Sequence, residues 1–442
     1  MDNELNETTE ADIYGSSGYR RSRSAYVLEC AFEYFVALTV TDAFLAKLLK
    51  SIGASDALCG IISSFISLAM LFQLLSLFIV NKITNTKKTA VVIHTCSQLL
   101  FTALYLIPFL PFADAYKQPI FILCMLLAYL GNYIITSVIF KWGMSFVDPG
   151  RRARYSAAKE MTSLASGIAV SLLLGAVIDK FDSAGNVYGG FLFTAICMAI
   201  FSLCDFVCLM LMKNDKAPAA ADREPLLPVL RHVFSNRPFV RTIVIHCLFN
   251  VALYTTYGFL GTYKQEELAY TIVQIQIINI IGVAGRFIAS RPFGKYSDKH
   301  SYYYGIMLGL AILAAGFAVN IFTAPGTRFL IILFTLLYNV SSAGTRQNLL
   351  NITYSYVPEK YFVQATVIKS SIAGVAGFLA TLASGKLLSA VQRGGNSVAG
   401  VTVYSQQLQS AISLGIVAVT LVYMAVLTKK MLRRGNDQPI AD

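Results

Sequence analysis

A few ionisable side chains interrupt otherwise apolar stretches of this sequence, and in a hydrocarbon environment each costs on the order of 3 kcal/mol or more. Glu29, Glu33 and Asp42 fall in the first stretch, His94 in the third, Asp205 in the sixth, His246 in the seventh and Arg346 in the tenth. A carboxylate beside a cation in low dielectric can exchange its proton against an ion pair, so such residues could couple proton movement to movement of another solute. At about 1.5 Å of rise per residue, Glu33 lies roughly 12 Å into the first stretch. Arg346 lies roughly 9 Å into the tenth from the same side, and His246 is about as deep in the seventh. A Glu33–Arg346 pair would neutralise both charges, whether it serves a transport cycle or only holds the fold. Glu29 shares the face of Glu33 but lies near the end of the stretch, where it is expected to snorkel toward water. Asp42 follows Glu33 by about 180° of helical rotation, so a straight helix cannot aim both at one place. Either that helix is kinked or one acid packs against a neighbour. Asp205 and His94 read as hydrogen-bonded interior residues. Asn132, Asn250, Tyr254, Asn348 and Asn351 could bind polar groups of a solute, and bonds between helices would explain them as easily.

Long apolar helices must position these residues. Of the 442 residues, 56% are hydrophobic and only 14% charged, too apolar for an ordinary soluble protein. Charge-free runs of about 20 residues, the length that crosses a hydrocarbon core of roughly 30 Å, recur along the whole chain. The expected helices are 25–50, 57–81, 89–113, 118–142, 156–180, 189–213, 239–263, 268–292, 302–324, 328–352, 364–388 and 404–428. A soluble helical bundle would need charged outer faces, which these segments lack. The eight cysteines sit mostly inside apolar runs at no metal-ligand spacing and read as packing residues. No helix has the density of His, Asp or Glu that a metal centre or an enzyme nucleophile needs, so neither metal, cofactor nor catalysis is expected. Residues 1–18 hold no apolar stretch and do not read as a cleavable signal peptide.

Charge placement sets an orientation. When the helices are assigned in order, about three quarters of the 36 lysines and arginines fall on one side. That side holds Arg20, Arg21 and Arg23, then Lys82, Lys87 and Lys88, then Arg151, Arg152 and Arg154, and finally Lys429, Lys430, Arg433 and Arg434. The net charge of +12 therefore follows the positive-inside rule and does not point to nucleic acid; it places both termini in the cytoplasm. A long polar connection with Pro218, Pro225 and Pro228 follows the sixth helix, and its middle, 217–221, has linker composition. It divides the chain into a cytoplasmic tail (1–24), a six-helix bundle (25–213), a linker (214–238), a second six-helix bundle (239–428) and a tail (429–442).

The halves share a pattern. Ser163, Gly167, Ser171 and Gly175 recur every fourth residue in the fifth helix, and Ala373, Gly377, Thr381 and Gly385 do the same in the eleventh. The same interval separates each pair, and also Lys159 from Lys369. Small residues at this spacing let another backbone approach closely. An equivalent stripe in two equivalent helices points to a parallel duplication about an axis normal to the membrane.

Between the eighth and ninth helices, Gly294-Lys295-Tyr296-Ser297-Asp298-Lys299 matches the Gly-x-x-x-Asp-Arg/Lys signature of the major facilitator superfamily, which the duplicated pattern also resembles. The segment Asp148-Pro149-Gly150-Arg151-Arg152-Ala153-Arg154 resembles the family too, and Val357-Pro358-Glu359-Lys360 is its plainer second-half equivalent. The first-half copy of the signature departs from the pattern, with Leu77 in place of the Gly and Asn81 in place of the Asp. The resemblance implies an all-α membrane protein of about twelve helices in two bundles, with helices one, four, seven and ten lining a central cavity. It also implies a gating loop at Gly294, Asp298 and Lys299, where the Gly allows close helix approach and the Asp suits a helix N-terminus. Gly-Pro and Pro-Glu-Ser-Pro-Arg motifs of drug antiporters and sugar porters are absent, as is any nucleotide-binding loop.

These features together predict secondary active transport of a small organic solute by alternating access, coupled to protons, in the plasma (inner) membrane. Coupling residues are expected among Glu33, Arg346, Asp42, Glu29 and His246, and polar contacts to solute among Asn132, Asn250, Tyr254 and Asn348. Sodium coupling and facilitated diffusion are the alternatives within that class, and a non-transporting receptor or scaffold the alternative outside it. The expected partners are the substrate, protons and the lipid bilayer, with no nucleic acid, and the chain is expected to act as a monomer.

Overall fold

The computed structural model describes Tyr14 and residues 16–79, 86–148, 151–214, 226–358, 361–398 and 401–435. The expectations for Asn81 and Lys82, for Pro149 and Gly150, for 215–225 within the linker, for Glu359 and Lys360, and for the outer parts of both tails lie outside the described residues. Each expected helical range overlaps helix among the described residues, although 25–50 and 57–81 are each divided in two and 89–113 leaves α-helix after Leu104. The chain begins with α1 (Ser17–Thr39), α2 (Asp42–Ser51), α3 (Asp56–Ser63) and α4 (Phe65–Ile79). It continues through α5 (Thr86–Leu104), α6 (Asp114–Ser145), α7 (Arg152–Ser183) and α8 (Val187–Leu211). After the undescribed part of the linker come α9 (Leu226–Ser235), α10 (Arg237–Thr256), α11 (Ile272–His300), α12 (Tyr302–Ile321), α13 (Leu330–Asn351), α14 (Phe362–Arg393) and α15 (Ser405–Gly435). A two-stranded hairpin, Ser397–Val398 with Val401–Thr402, precedes α15.

Local chemistry explains most ends. Ser16, Ser55, Asn186, Asn236 and Ser301 each accept a hydrogen bond from the backbone N–H three residues on, and Thr271 and Gln274 form a reciprocal capping box, satisfying donors that a helix start leaves open. Lys87 Nζ caps the other end of α8, donating to the carbonyls of Met210 and Met212 at 2.7 and 2.6 Å. Among the described residues, nine helices are long and apolar enough to cross a membrane. The segments α1–α2, α5 and α13 are not among them, and these are the ones that carry Glu29, Glu33, His94 and Arg346.

The first apolar stretch is broken at Val40 and Thr41, which resolves the geometry of Glu33 and Asp42. Thr39 and Thr41 donate their hydroxyls back to the carbonyls of Val36 and Leu38 at 2.7 and 3.1 Å, competing with the next turn of helix. The Tyr105 hydroxyl takes the Thr39 carbonyl at 2.7 Å. Three consecutive β-branched residues disfavour helix further, and Asp42 restarts it from a left-handed φ of 45°. Asp42 then serves as the acid in the first turn of α2, where the helix dipole favours negative charge.

Two compact units emerge, residues 1–53 with 75–221 and residues 54–74 with 222–442. In the first, Tyr26, Ile135, Val138, Trp142, Phe146 and Leu209 belong to one buried apolar cluster. In the second, α3 and α4 pack on α14 through small residues. Ser67 Oγ donates to the Gly374 carbonyl at 2.8 Å and Ser371 Oγ to the Met70 carbonyl at 2.9 Å. The matched stripes are sites of close approach. A Cβ at Gly167 would fall 2.5 Å from the Tyr34 ring, and one at Gly377 would fall 2.7 Å from the Tyr254 ring and 2.8 Å from Ser67 Oγ.

Two placements differ from expectation. The linker contains a helix, α9, whose Val229 and Val233 are buried in the second unit's apolar cluster. The segment Gly294–Lys299 is the end of α11, not a loop. Pro292 does not stop that helix, and the chain turns only at Ser301, whose extended backbone also caps α12.

Gly167→Leu and Gly377→Leu are each expected to cost about 1–3 kcal/mol through overpacking, seen as a lower melting temperature of the detergent-purified protein. Gly415→Leu, where a Cβ meets nothing within 4 Å, should melt like the parent. Equal tolerance at all three would disprove the close approach.

Candidate functional site

The first unit gathers a polar cluster from three helices: α1 supplies Glu29 and Glu33, α5 supplies His94 and α8 supplies Asp205. Glu29 and Asp205 are 0% exposed and His94 is 1% exposed. His94 Nε2 lies 3.1 Å from Asp205 Oδ2 and 3.8 Å from Glu29 Oε1, and Gln98 Nε2 approaches the same nitrogen at 3.4 Å. One ring nitrogen cannot serve all three. The Asp205 contact has ion-pair distance, yet neither Asp205 oxygen, nor Glu29 Oε1, nor His94 Nδ1 has an aligned hydrogen-bond partner. The other Glu29 oxygen accepts from the Cys30 thiol at 3.1 Å. Two carboxylates and one imidazole balance electrically only when a carboxyl holds a proton, because an uncompensated buried charge costs several kcal/mol.

Glu33 connects this cluster to an open face. Its carboxylate, Glu29 and His94 offer ligand atoms within 4.8 Å of one another, a spacing that could hold a metal ion as well as a proton. Half-buried Glu33 also lines an open cavity of about 480 Å³ with Cys30, Tyr34, Phe140, Lys159 and Ser163. Lys159 Nζ sits 4.8 Å above the Tyr26 ring and 3.4 Å from its hydroxyl, a cation held on an aromatic face beside that cavity. A short polar path thus leads from the cavity through Glu33 to Glu29, His94 and Asp205.

Glu29 does not snorkel. Helix α1 begins at Ser17, so Glu29 is about 18 Å along it at the standard rise, in the interior of the unit. Asp42 lies beyond the helix break, half-buried and apart from this cluster. In the same α2, Lys47 pairs with Asp182 of α7 at 2.7 Å. Asn132 is half-buried in α6 and its carbonyl accepts from Thr136 at 2.6 Å.

The second unit gathers cations and aromatic rings. Arg346 on α13 is exposed and donates a hydrogen bond to the Tyr338 hydroxyl, with Tyr254 and Tyr257 within electrostatic reach. Tyr257 and Tyr338 stack at 5.9 Å with an interplanar angle of 14°. His246, Asn250 and Tyr254 follow one another at four-residue intervals on α10, and His246 lies within electrostatic reach of Arg346 and Lys369. Asn348 is buried against Gly305 of α12, which marks it as a packing residue. Asn351 accepts from Gln347 at 3.2 Å. Lys369 is 1% exposed and caps the end of α13, donating to the Leu349 carbonyl and to Thr353 Oγ1.

At the α11 terminus, Gly294, Asp298 and Lys299 are exposed. A Cβ at Gly294 would meet nothing within 4 Å, so this glycine is not required by close helix approach. Asp298 sits in the last turn of α11, not beside a helix N-terminus, and Lys299 and His300 supply the positive charge there.

A family model of the Major Facilitator Superfamily matches residues 28–381. The chain belongs to that superfamily. It is a multi-pass membrane protein with the transporter fold of the family. A crystal structure of the nucleoside transporter NupG is similar, with a TM-score of 0.68 at 13% identity over 94% of this chain and 100% of that one. A D-xylose–proton symporter gives 0.65 at 14% identity, covering 96% and 100%. An auto-inhibited POT family peptide transporter gives 0.66 at 13% identity, covering 96% and 98%. No curated protein sequence matched significantly.

Glu29, Glu33, His94 and Asp205 each stand out in the sequence by their cost in an apolar stretch, but the convergence of three helices on one imidazole does not. Cys30 reads as a packing residue in the sequence, and nothing in its spacing marks it as the donor to Glu29. His94→Ala is expected to cost about 3–5 kcal/mol, because Glu29 and Asp205 lose their shared cation. His94→Ala/Asp205→Asn should lose less than the sum of the two single variants. Melting of the purified proteins checks this, and strict additivity would contradict the contact.

Proposed function

We propose that this chain is a proton-coupled secondary transporter of a small organic solute, working by alternating access. The observation that carries the reading is Glu33: it lines an open cavity and shares a group of close donor atoms with Glu29 and His94. A carboxyl in that position can take a proton from the cavity side and pass it to an enclosed acceptor set, so that protonation and solute occupancy become alternatives. Arg346 is proposed as the coupling residue of the second unit, linking solute occupancy to the conformational equilibrium. Gly294, Asp298 and Lys299 are proposed to bias that conformational equilibrium without touching solute.

The proposed topology has twelve spans, with α1–α2, α5 and α13 crossing despite their polar residues, and both termini cytoplasmic in the plasma membrane. The clustering of lysine and arginine on one set of connections supports it. An Ala220→Cys introduced in the 213–238 connection should react with a membrane-impermeant thiol reagent only after cells are permeabilised. Strong labelling of intact cells would overturn the orientation.

The coupling is tested in proteoliposomes carrying an internal pH dye, screened with small organic solutes. Glu33→Gln is expected to abolish solute-induced proton flux and gradient-driven accumulation while solute exchange continues, since a neutral amide mimics the protonated acid. Proton flux surviving in Glu33→Gln would remove Glu33 from the coupling path.

A further inference from the structure

The second unit contains a cation, Arg346, that no carboxylate among its described residues neutralises. Among the described residues of that unit, no Asp or Glu forms an ion pair with Arg346. Its neighbours are instead the hydroxyls of Tyr338, Tyr254 and Tyr257. Around it, hydrogen-bonding capacity is left open. Asn250 is 4% exposed and its Nδ2 has no partner, and His246 Nδ1 has none either. Both sit on the α10 face that also carries Tyr254, one and two turns away. Beside them is an aromatic wall, the stacked rings of Tyr257 and Tyr338, with Tyr257 38% exposed. Buried donors without acceptors are costly, and a guanidinium beside them is suited to a planar acceptor that can take two N–H bonds at once.

We propose that this cluster is the substrate-recognition site for a carboxylate on an aromatic or otherwise flat apolar body. Arg346 takes the carboxylate, Asn250 supplies a further donor, and the Tyr257–Tyr338 pair takes the flat part by stacking. Lys369, the buried cation near His246, is already committed to the end of α13, so the carboxylate falls to Arg346. The assignment rests on the reading of this chain as a transporter, and it names the class of solute.

Binding to the purified full-length protein tests it, by calorimetry and by melting, with benzoate and indole-3-carboxylate as probes. Their neutral amides and acetate are the comparisons. The carboxylates should bind and raise the melting temperature, while the amides bind at least about tenfold more weakly. Arg346→Gln should lose that preference for carboxylate over amide, and Arg346→Lys should restore part of it. Tyr257→Leu, at a partly exposed ring, should weaken indole-3-carboxylate more than acetate. Equal binding of acid and amide, unchanged carboxylate binding in Arg346→Gln, or no carboxylate binding at millimolar concentration would each overturn the site. Carboxylate binding without transport in proteoliposomes would overturn the transporter reading and leave the site standing. Proton-coupled transport of a solute indifferent to Arg346 would do the reverse.

Discussion

A carboxylate that water cannot reach must be balanced by something, and in this chain two of them, Glu29 and Asp205, depend on one imidazole. His94 Nε2 is within 3.1 Å of one and 3.8 Å of the other. That single shared contact requires α1, α5 and α8 to converge, and it ties the most apolar of the three, α8, to the two that carry charge. Replacing the cluster by aliphatic side chains would give a simpler core, since buried ion pairs seldom outperform good packing. Its presence therefore argues for use, and Glu33, one turn along α1 and open to the cavity, supplies the connection through which it could be used.

The break after Thr39 decides which acids belong together. Without it, α1 and α2 would be one rod, and Asp42 would face away from Glu33 on the same axis. Hydroxyl bonds back to Val36 and Leu38, and the Tyr105 hydroxyl on the Thr39 carbonyl, end the first helix. Asp42 then works as a helix-start acid, and Glu33 is left as the acid of this segment that meets both the cavity and the enclosed cluster. The second unit is organised differently: Arg346 is surrounded by rings and uncommitted donors, and buried Lys369 caps a helix end.

Much of this was legible in the sequence, and the limits have physical causes. Apolar runs gave the helical ranges because lipid tolerates few alternatives, and the matched stripes pointed to tight packing at Gly167 and Gly377 because small residues at four-residue spacing have one obvious use. The family signature was recognisable although its segment proved to be helix, since residue identity survives a change in where a helix stops. The depth of Glu29 does not follow from the apolar run, because Ser16 caps α1 two turns before that run begins, among arginines. The Glu29–His94–Asp205 convergence was not legible at all: a helical wheel tells which residues share a face, not which neighbouring helix that face meets. Lys369 was noticed as a repeat marker, but its cap on α13 depends on where another helix ends.

The most direct measurement of the central claim needs no known solute. Proteoliposomes on a solid support, given a sudden pH step, report the charge displaced as protons enter the protein. That displacement is expected to be lost in Glu33→Gln and retained in Asp42→Asn, because only the former interrupts the path from cavity to cluster. A displacement unchanged in Glu33→Gln, or one lost in Asp42→Asn, would contradict it.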